Sequence, residues 1–190
     1  MADAPRLPAR NEDAYDDAQR AFVAALRAGP RGPNMAPNGP FAVWLHAPAL
    51  GALAQQLGAY CRYGTSLSAR QSEFAILCVA HHWRAQFEWA AHARIAAEAG
   101  VSAETIEAVR AGKPPAGAAA DELAIHAVVE ELFRTQRVSD AAYAKAHAFL
   151  GDAGMVELTG IVGYYTLVAM SLNVFLMPPP TGQTPAFPES

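Results

Sequence analysis

The chain has 190 residues, enough for one domain with a substantial core and too few for two full ones. Hydrophobic residues make up 52% and charged residues only 17%, which excludes a disordered chain and points to surface buried between subunits. The net charge of −4 and pI near 5.8 exclude an electrostatic footprint for nucleic acid or for an anionic membrane.

The N-terminus opens Met1-Ala2-Asp3-Ala4-Pro5-Arg6 and has no apolar core of a leader, so a cytoplasmic setting is expected. A first helix is expected after Asn11, a capping residue ahead of the acidic Glu12 and Asp13, and it should stop at Gly29-Pro30. Residues 29–40 are rich in Pro, Gly and Asn and read as a loop, after which the apolar run 41–46 must dock on the body. A second helix is expected over 48–63. Ser68 then forms a capping box with Gln71 and starts a third, which continues through Glu73, Cys78 and His82.

A break near Trp83 and Arg84 precedes a helix that carries Glu88 and His92 and ends at Gly100. Ser102 caps a short helix to Gly112, residues 113–120 form a Pro/Gly/Ala linker, and Asp121 opens a helix to about 136. Ser139 caps a helix to 150, a last one covers 155–176, and Pro178-Pro179-Pro180 leaves an extended tail. No segment alternates as a strand does, so the fold class is all-α. The organisation is an N-terminal helix and loop over 1–39, one helical domain over 40–180 and a tail over 181–190. The uncharged stretch 158–177 has the length of a bilayer span. Its Thr159, Ser171 and Asn173, its tyrosines and its lack of Lys or Arg anchors make it a buried helix of a soluble assembly, with no membrane partner.

Chemistry concentrates at Glu88 and His92. Residues four apart on a helix share a face, so this carboxylate and imidazole can meet, among Phe87, Trp89, Ala90 and Ala91. Burial and a neighbouring charge both shift pKa values, which makes the pair, with Glu73 on the preceding helix, a candidate acid–base site. A substrate carboxylate needs a cationic partner, and Arg70 or Arg84 can serve. Trp83, Phe87 and Trp89 either pack the core or cage a substrate, and Tyr164 and Tyr165 either line the pocket or bond a neighbouring helix.

Of the adjacent His81 and His82 only one can face the Glu–His cluster, and His82 joins the substrate-binding candidates. One of them with His92 and Glu73 or Glu88 would make a two-His-one-carboxylate set of the kind that binds iron or zinc, but the spacing is not HExxH and no metal is expected. Cys61 and Cys78 are not spaced as CxxC and read as reduced, buried thiols.

The run Arg70-Gln71-Ser72-Glu73, then Ala85, Glu88 and His92 in the frame E-x11-C-x2-C-x3-H, then Ala99-Gly100-Val101-Ser102, resembles the alkylhydroperoxidase-D-like and carboxymuconolactone decarboxylase superfamily. The late stretch Gly163-Tyr164-Tyr165-Thr166 through Asn173 looks like its decarboxylase-like branch. The resemblance implies an alkylhydroperoxidase-D-like helical bundle that forms homo-oligomers, as a dimer, trimer or hexamer. Two cysteines of the peroxidase branch fall where this chain has Ala85 and Glu88, so thiol peroxidase chemistry loses its nucleophile. The decarboxylase branch implies Glu73, Glu88 and His92 as working residues in a cofactor-free lyase of aromatic catabolism, acting on a small unsaturated lactone or acid. A peroxide-reducing antioxidant and a non-catalytic oligomer that binds a small molecule are the alternatives.

Overall fold

The structure is a computed structural model that describes residues 4–180, 182, 183 and 185–188. Among these residues there are helices and no strand. Asn11 caps only a short 3-10 turn, Glu12–Ala14, and not the first α-helix. That helix, α1 (Asp17–Ala28), starts where Asp16 and Gln19 make a reciprocal capping box, a stronger start than the Asn11 side chain alone provides. The docked apolar run is a short helix, α2 (Pro40–Trp44), with Pro40, Phe41, Val43 and Trp44 all buried.

Then follow α3 (Pro48–Tyr63), α4 (Ala69–His82) with the Ser68/Gln71 capping box in place, and α5 (Gln86–Glu98). The helix α6 (Ala103–Arg110) is capped by Ser102, and α7 (Ala120–Thr135) follows the linker. The α5 helix ends with Gly100 at φ +101, the left-handed position that glycine fills without a Cβ clash. The equivalent stop of α4 is Arg84 at φ +49. Its N–H reaches the His81 carbonyl at 3.0 Å and that of Ala85 reaches Ala80 at 2.9 Å, which holds an unfavourable residue in place.

The last two expected helices are both present along α8 (Asp140–Val174), and Gly151, non-helical at φ +64 and ψ −176, separates them by a kink. That conformation suits glycine, so one residue makes the break in place of the longer connection expected over 151–154. By length and composition α8 is long and apolar enough to cross a membrane; 50% of that window is buried in this fold.

The helix α4 is the centre, packed against α5, α6, α7 and α8. Every residue from 72 to 80 is buried, which explains why its apolar pattern shows no single face. The tail is not merely extended. Phe187 is buried edge-on against His81 and Trp89, and Gln86 holds its backbone through bonds of 2.7 Å and 3.1 Å.

Between α3 and α8 the approach is set by Gly58: a Cβ there would fall on the hydroxyl of buried Tyr164. Gly58→Ala is therefore expected to lower unfolding stability by about 1–3 kcal/mol. Gly58→Ala in a Tyr164→Phe background should recover part of that loss, measured by denaturant titration. Leu50, Leu53, Leu57, Tyr60 and Tyr63 form an exposed stripe on α3, and Val156, Met170 and Val174 stand exposed on α8. With Leu53 69% and Val156 73% exposed, this surface is expected to be covered by another copy. Sedimentation at micromolar concentration should show an oligomer that Leu53→Asp with Leu57→Asp shifts towards monomer.

Candidate active site

Glu73 projects from the first half of α4, and Glu88 and His92 from the first two turns of α5, the helix packed beside it. All three are buried, at 4%, 2% and 8% exposure. The bond that forms is not the one that helical spacing suggests. His92 Nδ1 lies 2.6 Å from Glu73 Oε2, across the two helices, while both oxygens of Glu88 lack a hydrogen-bond partner among the described residues. The sequence-based Glu88–His92 pair is thus replaced by Glu73–His92. The other oxygen of Glu73, Oε1, stands 3.7 Å from Arg62 Nε of α3, so this carboxylate has a cation on one side and an imidazole on the other.

Glu88 takes the opposite route to being buried. Desolvation alone pushes its pKa well above the usual carboxylate range, so it is the neutral acid that the interior accepts. Glu88 sits in the first turn of α5, where the helix dipole favours a negative charge by about 0.3–1 kcal/mol. An unpaired buried ion costs several kcal/mol, so burial wins.

Glu88 and His92 open onto a cavity of about 350 Å³, at the small end of the range for ligand sites. Its other walls are Phe41 of α2, Arg62 and Tyr63 of α3, Tyr164 and Tyr165 of α8, and Arg31 and Met35 of the loop after α1. Tyr165 meets the His92 ring edge-on at 5.1 Å, and burial raises its phenol pKa further above an already high value. The Tyr164 phenol is raised to about 12, chiefly by burial. Phe87 fits against Gly39 so closely that a Cβ at that position would strike its ring.

Of the expected site residues, the structure brings Glu73, Glu88, His92, Tyr164 and Tyr165 together; Phe87 lines the cavity too. It does not bring Arg70, which ties α4 to α7 through Asp121 at 2.7 Å and Glu122 at 2.6 Å. His82 and Arg84 face a separate cavity of about 420 Å³ between α4, α6 and α7, where the His82 ring stacks on Phe133 at 3.9 Å. His82 is the last residue of α4 and Arg84 follows it, both more than two turns past Glu73. Trp83 packs beside His82, and its carbonyl accepts a bond from Asn173. Trp89 turns to the Phe187 side, where it is core.

Sequence reasoning missed Arg31, Arg62, Phe41 and Tyr63. Arg31 lies in a stretch read as structureless, and nothing in the local pattern distinguishes Arg62 from a solvated charge at the end of a helix. The thiols are elsewhere. Cys61 and Cys78 are buried and free, and burial raises Cys61 to about 11 and Cys78 higher still, which leaves both protonated. Among the described residues no three His, Cys, Asp or Glu side chains converge as a metal site requires.

The raised pKa of Glu88 has a signed consequence for stability. Below about pH 4.5 the side chain is protonated folded and unfolded alike; as pH rises towards the folded pKa, stability is lost. Glu88→Gln removes that loss. Its stability relative to the native chain should grow above pH 4.5 by up to about 1.4 kcal/mol per pH unit, whatever constant offset the amide adds. Denaturant titrations across pH 4–9 check this, and parallel curves would show that Glu88 is not held neutral.

No curated protein matches the chain. Residues 48–131, the segment that holds Glu73, Glu88 and His92, match the carboxymuconolactone decarboxylase family, and it is to that family that this helical segment is similar.

Proposed function

We propose that the chain is a cofactor-free enzyme that moves protons on a small unsaturated acid or lactone, of the decarboxylating type. The observation that carries this reading is one small cavity flanked by a neutral carboxyl, Glu88, and by an imidazole whose Nδ1 is already bound to Glu73. When Nδ1 donates to the Glu73 carboxylate, Nε2 of the neutral ring is left as an acceptor, and His92 can serve as a general base. Glu88 carries the complementary proton. Titratable groups held in opposite environments are the arrangement that divides acid from base.

In a decarboxylation, the bond between the substrate carbon and its carboxylate breaks and CO2 leaves. The electron pair moves into the conjugated carbonyl, whose oxygen Glu88 stabilises by its O–H. A proton delivered to carbon, from Glu88 or from a protonated His92, completes the step, and solvent restores it. Sequence alone suggested His92 as the donor; the raised pKa of buried Glu88 favours the carboxyl in that role. Arg62 stands 3.7 Å from the other oxygen of Glu73, so the side chain that orients the His92 ring is itself held from α3.

Small unsaturated acids and lactones incubated with the protein in D2O are expected to lose CO2 or gain deuterium at carbon, followed by proton NMR. Glu88→Gln and His92→Ala should each slow this by about 10²–10⁴-fold with the helical circular dichroism unchanged. Rates unaffected by both substitutions would remove the proposed roles. The native rate should fall as pH rises through the folded pKa of Glu88, and Glu88→Gln should lack that limb.

A further inference from the structure

We propose that Arg31 anchors one carboxylate of the ligand, and that the cavity is built for a mono-acid in preference to a dicarboxylate or a neutral analogue. This rests on the reading of the cavity as a substrate site and names the class of molecule that it takes.

The charges around the cavity do not balance. Two guanidiniums line it, Arg31 and Arg62. Arg62 stands 3.7 Å from Glu73 and is matched. Arg31 has no carboxylate within 4 Å among the described residues. Its bond to protein is from Nη1 to the Gln55 carbonyl at 3.3 Å, which leaves most of its five N–H donors unused. Glu88 is the acid that lines the cavity, and burial raises its pKa well above the usual carboxylate range, which favours its neutral form. With Arg62 engaged by Glu73, Arg31 is the guanidinium of the cavity left without a carboxylate partner among the described residues. One ligand carboxylate satisfies it; a second would be buried without a partner, and an uncharged analogue would leave the guanidinium unmatched.

Arg31 is also held in place. Its guanidinium lies over the Phe41 ring at 5.1 Å, and Phe41 is itself a wall of the cavity. The loop that carries it is tied by backbone bonds from Gly32 to Gly29 at 3.1 Å and from Met35 to Gly32 at 3.2 Å. Arg27 of α1 bonds the Met35 carbonyl at 3.2 Å. The charge of Arg31 also reaches the far wall, where it lowers the Tyr164 phenol pKa against the larger, raising effect of burial. A planar, fixed guanidinium presents two parallel N–H groups to a carboxylate, which a lysine does not. Arg31 lies outside the matched segment 48–131. The helical core thus supplies the acid and the base, and the N-terminal loop sets which acid enters.

Benzoate, phthalate and benzamide titrated into the full chain by calorimetry test this, because they differ in charge on one small ring. Benzoate should bind at least about tenfold more tightly than either of the others. Arg31→Met should weaken benzoate by at least about tenfold and leave benzamide unchanged, and Arg31→Lys should restore part of the difference. Circular dichroism verifies that both variants are folded. Benzoate binding that is absent from the native chain at millimolar concentration, indifferent to Arg31→Met, or weaker than phthalate binding would overturn the proposal. Benzoate bound through Arg31 by a chain that turns over no acid would overturn the catalytic reading alone. Turnover indifferent to Arg31→Met would overturn the anchor alone.

Discussion

The contact between Glu73 and His92 is the interaction on which the site depends. A carboxylate inside a helical core costs several kcal/mol unless a cation or strong donor meets it. Glu73 is met twice, by the imidazole at 2.6 Å and by Arg62 at 3.7 Å, so three helices (α3, α4 and α5) are tied to one buried group. That tie fixes the ring of His92 and decides which nitrogen faces the cavity. It also leaves Glu88, on the same helix as His92, with no charged partner and no hydrogen bond among the described residues. Burial without such partners raises the pKa of that second carboxyl. The division into a bonded acid and a solitary one therefore follows from how many partners the packing supplies.

The packing that supplies them is built around α4. A helix buried on every side can present polar groups in more than one direction only if neighbours cover all of it, and α5, α6, α7 and α8 do. Its first half turns Glu73 towards α5 and α3. Its second half turns Cys78, His81 and His82 towards α6 and α7, where a different cavity lies. Helical pitch carries these residues to another side, and this is why His82 and Arg84, near His92 in sequence, are absent from its cavity. The same pitch separates α5 into a face for Glu88 and His92 and a face for Trp89, which packs with Phe187 from the tail.

How far the sequence could be read follows from these same facts. Capping residues act locally, so Ser68 with Gln71, Ser102 and Ser139 announced their helices, and α3 lies where its apolar spacing put it. Asn11 misled because a capping side chain does not say how long a helix will follow, and the reciprocal bonds of Asp16 and Gln19 outcompeted it. The break between the last two helices was legible from Gly151, whose non-helical backbone alone makes the kink. At the site, the identities of Glu73, Glu88 and His92 were legible, but their pairing was not. Spacing of four on one helix says that two groups can meet; distance across a helix–helix interface decides whether they do. Arg31 and Arg62 were invisible because they come to the cavity from elements remote in sequence, one of them in a loop with no periodicity.

The frame shared with the peroxidase branch clarifies what the substitution at position 88 does to the chemistry. In that frame Ala85 and Glu88 stand where two thiols would, one turn apart at the start of α5. A thiol pair there would be redox-active because a helix N-terminus favours the thiolate. Ala85 is fully buried and carries no reactive group, so the resolving partner is gone. A carboxyl at Glu88 cannot take up or release electrons, and burial raises its pKa well above the usual carboxylate range. Electron transfer at sulfur therefore has no counterpart at these two positions, and what remains there is one buried carboxyl on the cavity wall.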